Sequence, residues 1–180
     1  MASLDQIFLP EEDPKKYNGP VSSDEQFCFQ FISGLEYIHG KYLVHGSIKP
    51  TNILISSRKD PQIKLSDFGL TTSCLNEGHT TKRVISGFLS SRYWLAPELL
   101  LIAESGDQFT KESDIFAAGS VFFYFLSEGC HLFGDTHEII SNTLKGIQKN
   151  DLSKLSIKVT YMFRIQYVTA VVSTITVYFH

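Results

Sequence analysis

The run DIFAAGSVFFYFL, Asp114 to Leu126, is the strongest constraint on the fold. At helical spacing it is apolar on nearly every side, so a helix built from it must sit in the middle of a domain and be wrapped by the rest of the chain. Ser113 or Asp114 can cap its start. Broken by Ser127 and Glu128, it is too short for the roughly 20 residues of a membrane span, as is IQYVTAVVSTITVYF further on.

The other segments supply the wrapping. SSDEQFCFQFISGLEYIHG opens with Ser22 as N-cap and Glu25 as its capping-box partner, and sets Phe27, Phe31, Leu35 and Ile38 on one stripe before Gly40 stops the helix. NILI and QIKLSD flank the turn SSRKDP, which predicts a strand pair over 52–67 with Asn52 and Asp67 at the same end. From Gly69 to Tyr93 the chain loses periodicity and gains hydroxyls, the pattern of a long functional loop. A short helix follows Pro97, and THEIISNTLKGIQK reads as a final amphipathic helix.

With 180 residues there is room for one ordinary domain. A net charge of -3 provides no basic field for nucleic acid. Cys28, Cys74 and Cys130 form no CxxC pair, which indicates a reducing compartment rather than disulfides or zinc. Cys130, His131 and His137 match no zinc spacing, and His39 reads as a helix C-terminal cap. The N-terminus turns acidic before any signal-peptide core develops, so a cytosol-facing chain is expected.

Four motifs occur in order: HGSIKPTNILI, IKLSDFGL, YWLAPELL and KESDIFAAGSVFFYFLSEG. In that order they resemble the catalytic loop, metal-binding DFG, APE and central helix of a eukaryotic protein kinase C-terminal lobe. Within that superfamily the stretch DIFAAGSVFFYFLSEGCHLFGD is similar to the transmembrane serine/threonine kinase/endoribonuclease of the unfolded protein response, a relative of the 2-5A-dependent ribonuclease.

The resemblance implies a mainly α fold with a short β-hairpin at the catalytic loop and DFG. It covers roughly residues 2–150, with 67–98 as activation segment, and leaves 151–180 as a strand-like tail, read either as a truncation or misjoined exon or as a divergent terminus. No GxGxxG loop or VAIK-type lysine precedes Asp24, so the N-terminal lobe is expected to be absent from the chain.

By the same resemblance, Asn52 and Asp67 would hold the Mg2+ of ATP and Lys49 would neutralise the transferring phosphate. His45, Phe68 and Gly69 would shape the loop, Asp114 would hold its backbone, and Glu98 would anchor the activation segment through an arginine that the tail does not supply unless Arg164 substitutes by chance. Ser73, Thr80, Thr81, Ser86, Ser90 and Ser91 are candidate phosphorylation sites. Kinase-domain dimerisation or binding to related kinase domains is the implied partnership, on the cytosolic side of the endoplasmic reticulum membrane.

Two departures qualify the activity. The family loop reads H-R-D, whereas here Gly46 replaces the arginine and Ser47 the aspartate. A neutral serine is a poor base near pH 7, and losing general-base help costs roughly 10²- to 10⁴-fold in rate. Mg-ATP binding inherited from the family, with impaired phosphotransfer, is therefore expected where a complete parent chain supplies the other lobe, and weak or absent binding in the isolated chain; the alternative is a non-catalytic scaffold or decoy for related kinase domains. Loss of the other lobe is also expected to expose the surface against which it would pack, and a cut C-terminal half to leave the helix over 114–126 partly uncovered.

Overall fold

The computed structural model describes residues 1–68, 92–101 and 109–150, together with the backbone of 72–73. Four helices account for most of the regular structure: α1 (Asp24–Gly40), α2 (Pro97–Leu101), α3 (Lys111–Leu126) and α4 (Ile139–Lys145). Five short strands accompany them: β1 (Ala2–Ser3), β2 (Leu43–Val44), β3 (Ile53–Ile55), β4 (Ile63–Leu65) and β5 (Thr72–Ser73). None of the helices among the described residues is long and apolar enough to cross a membrane.

Helix α3 takes the central place that its composition demands. From Phe116 to Phe123 every residue is buried, as are Phe125 and Leu126. The expected partial exposure is confined to Ile115 and Tyr124, which are half-buried, because the flanking loops fold back over the rest of the helix. Phe133 stacks on Phe116, Phe8 meets Tyr124 edge-on, and Trp94 packs against the same tyrosine. The helix starts earlier than Ser113: Thr110 is the N-cap, its hydroxyl accepting from Ser113 N–H while the Ser113 hydroxyl accepts from Thr110 N–H. At the other end Gly129, at φ +96, turns the chain back, and a Cβ there would come within 2.8 Å of Phe8 Cβ.

The predicted stripe of α1 faces this core. Phe27, Phe31, Leu35 and Ile38 are buried, and the Phe27 ring lies 3.8 Å from that of Phe125 and 6.4 Å from that of Phe122. Burial of each such side chain contributes about 1.5–3 kcal/mol. The N-cap is Ser23, whose hydroxyl accepts from Gln26 N–H; Ser22 instead is buried and donates to the Pro61 carbonyl. Cys28 is buried in this layer, and burial together with Asp24 pushes its thiol far above the ordinary range, consistent with an unreactive core residue.

Strands β3 and β4 pair antiparallel with Ile53 opposite Leu65 and Ile55 opposite Ile63, as the two apolar runs predict. β1 adds a third strand, Ala2 opposite Ile55, giving the order β1-β3-β4. A separate ribbon joins β2 to β5. Gln30 of α1 ties the hairpin to the helices, its side-chain oxygen accepting from Ile63 N–H. The rim between β2 and β3 is thereby fixed on both sides.

Candidate active site

The loop from His45 to Asn52 leaves β2, closes with a 3₁₀ turn at Pro50–Asn52 and enters β3. Pro50 fits the first turn because it lacks the N–H that a helix start leaves unpaired. Beyond the hairpin, Ser66 follows β4, and both its N–H and its hydroxyl donate to the Asn52 carbonyl at 2.9 Å. Those two bonds bring the ends of the hairpin together.

On this rim the side chains of Ser47, Asn52 and Asp67 converge. The Asn52 amide nitrogen donates to Ser47 Oγ at 2.8 Å, to the Ser47 carbonyl at 2.8 Å and to Asp67 Oδ2 at 3.1 Å. Ser47 Oγ in turn donates to Asp67 Oδ2 at 3.3 Å. Asn52 is buried while Asp67 is exposed. Asp67 also adopts a left-handed backbone, φ 64, which is uncommon outside glycine and is held here by its neighbours.

Below the rim Asp114 anchors the loop from α3. Its carboxylate accepts from His45 N–H at 2.7 Å and Gly46 N–H at 2.9 Å. Asp114 is 2% exposed, so these bonds compensate the cost of burying its charge. Gly46, at φ 72, takes a conformation that would cost a side-chain-bearing residue about 1–2 kcal/mol. His39 completes the arrangement: its Nε2 lies 2.9 Å from Asp114 Oδ2 in the interior, rather than capping α1.

His39 is the residue that sequence reading missed. It follows Leu35 by four positions and so falls on the buried stripe, where a polar side chain requires a partner. The partner stands 75 residues away and has no local signature.

The His45 ring is buried and packs against Phe68, centroids 4.9 Å apart, while Nδ1 accepts from Ser47 N–H. Burial lowers its pKa below the ordinary histidine range, against opposing pulls from Asp114 and Asp67. A neutral ring fits this geometry, because only an unprotonated Nδ1 accepts a hydrogen bond.

Other candidate residues are dispersed. Lys49 is half-buried on the loop itself, and Glu98 is half-buried on α2. Cys130 is exposed, His137 is exposed, and His131 is buried against Trp94, so the three point to different surroundings. Gly69, Cys74, Thr80, Thr81, Ser86, Ser90, Ser91 and Arg164 lie outside the described residues, and of Ser73 only the backbone is described.

Asn52 carries an amide oxygen and Asp67 a carboxylate, both hard donors of the kind Mg2+ accepts, and the two side chains stand side by side, joined at 3.1 Å through Asn52 Nδ2 rather than through its oxygen. The residues present thus fit a small divalent cation.

The protein kinase domain family model matches residues 14–171, and the chain belongs to the protein kinase family. It is similar to the human serine/threonine-protein kinase/endoribonuclease IRE2, 42% identical over 120 residues, or 65% of this chain and 13% of that protein. The Caenorhabditis elegans serine/threonine-protein kinase/endoribonuclease ire-1 is 33% identical over 121 residues, 65% of this chain and 12% of the relative. Mitogen-activated protein kinase mpkC of Aspergillus clavatus is 35% identical over 144 residues, 77% of this chain and 34% of that kinase. The chain therefore spans about a third or less of the length of these relatives.

Proposed function

We propose that the chain forms the C-terminal lobe of a serine/threonine kinase domain of the kinase/endoribonuclease type, which binds Mg-ATP but transfers phosphate poorly. The observation that carries this reading is the convergence of Asn52 and Asp67 beside a serine at position 47. Mg2+, when bound, supplies charge neutralisation between nucleotide phosphates. Asn52 and Asp67 would be the oxygen donors that hold it, and Lys49 would provide positive charge on the same loop. Asp114 and His45 fix the loop backbone beneath them.

Ser47 occupies the position from which an acid would orient an acceptor hydroxyl and take its proton. Its hydroxyl is engaged with Asn52 and Asp67 and has no basicity near neutral pH. Nucleotide binding and association with related kinase domains then remain as signalling outputs, on the cytosolic face of the endoplasmic reticulum. That neutral serine also favours a second reading, a scaffold that binds kinase domains without nucleotide.

Calorimetric titration with ATP and Mg2+, on the longest natural product containing the chain, separates the two. The first reading expects saturable binding that disappears in Asp67→Ala. Binding that survives the substitution unchanged, or none in the unsubstituted protein, leaves the scaffold.

A further inference from the structure

We propose that Ser47 is a positioning residue: a neutral clasp that holds Asn52 and Asp67 in register through hydrogen bonds alone, so that order at this rim does not require a divalent cation. The inference rests on the assignment of Asn52 and Asp67 as cation ligands and deepens it.

Ser47 uses every polar group it has. Its N–H donates to His45 Nδ1 at 3.2 Å, and its carbonyl accepts from the Asn52 amide at 2.8 Å. Its hydroxyl accepts from Asn52 at 2.8 Å and donates to Asp67 at 3.3 Å. With the direct bond from Asn52 to Asp67, these contacts close a triangle on one carboxylate oxygen.

Asp67 depends on that triangle more than a buried residue would. It is exposed and sits in the left-handed region, so neither burial nor backbone preference fixes its orientation. A hydroxyl is the smallest group able to donate to Asp67 and accept from Asn52 at once. A carboxylate at position 47 could still accept from Asn52 but could not donate to Asp67: it has no proton to give at neutral pH, and two like charges a few ångströms apart repel. A cation between the members of such a pair would relieve that repulsion, whereas the serine has none to relieve.

The test is thermal unfolding of the full 180-residue chain as wild type, Ser47→Ala, Ser47→Thr and Ser47→Asp, each in chelator and in MgCl2. In chelator, Ser47→Ala is expected to melt about 2–4 °C below wild type, and Ser47→Thr, which keeps the hydroxyl, close to wild type. Ser47→Asp is expected to melt lower in chelator and to gain more from Mg2+ than wild type does. Equal melting of wild type and Ser47→Ala in chelator overturns the clasp, and so does Ser47→Thr falling with Ser47→Ala. If Mg2+ shifts none of the four, even with ATP added, the cation assignment fails, while the chelator series still decides the clasp.

Discussion

His39 Nε2 and Asp114 Oδ2 meet at 2.9 Å in the interior, joining the last turn of α1 to the first turn of α3. The same carboxylate receives two backbone N–H groups from the loop that carries Ser47. Removing it leaves three buried groups without this partner. Asp114→Ala is expected to destabilise the chain by about 3–5 kcal/mol, and Asp114→Asn, which keeps one acceptor oxygen, by less. Urea unfolding of both variants checks this. A loss in Asp114→Ala of no more than about 0.5 kcal/mol, the scatter of surface substitutions, contradicts it.

The two phenylalanines Phe27 and Phe29 separate packing from composition. Phe27 is fully buried among Phe31, Phe122 and Phe125, whereas Phe29, two positions on, is 59% exposed. Phe27→Ala is expected to cost about 3–5 kcal/mol and Phe29→Ala within about 0.5 kcal/mol of zero. Equal costs in denaturant melts would show that α1 does not present the face described.

Acid should weaken the fold through its buried imidazoles. Burial pushes His131 from 6.5 down to about 4, with the Tyr93 backbone pulling weakly the other way. Between those values the unfolded chain binds a proton that the folded chain refuses, so stability is lost as pH falls through the window, by about 3 kcal/mol in total. His45 is displaced in the same direction. Unfolding free energies measured across this window should decline, and His131→Gln should flatten the slope. An identical slope in that variant contradicts the assignment.

Much of this architecture was legible because its causes are local. The i, i+4 stripe from Phe27 to Ile38 and the two runs around SSRKDP fix α1 and the hairpin without reference to the rest of the chain. The pairing of Asn52 with Asp67 followed from the hairpin alone. β1 was not legible, since two residues carry no period and their pairing with β3 is decided by tertiary packing. The caps shifted for a related reason. At Ser22 and Ser23 either hydroxyl can cap a helix, and the distant Pro61 carbonyl takes one of them. His39 illustrates the limit most clearly, because only the assembled core brings Asp114 to it.

Restoring the acid tests the chemical role of position 47. Ser47→Asp, assayed with labelled ATP in the longest natural product containing the chain, is expected to raise phosphotransfer roughly 10²- to 10⁴-fold over the unsubstituted protein. Equal rates would mean that position 47 is not the defect.

The most direct test of the central claim is to locate the cation. Mn2+ can stand in for Mg2+ and broadens the nuclear magnetic resonance signals of nearby atoms. On titration of Mn2+ with ATP into the isotopically labelled chain, the amides of residues 47–49, 51–52 and 66–68 should broaden first, with Asn52 and Asp67 among the earliest, and Asp67→Ala should abolish the effect. Broadening centred elsewhere, or unchanged by that substitution, would contradict a nucleotide-bound cation at the Asn52–Asp67 rim.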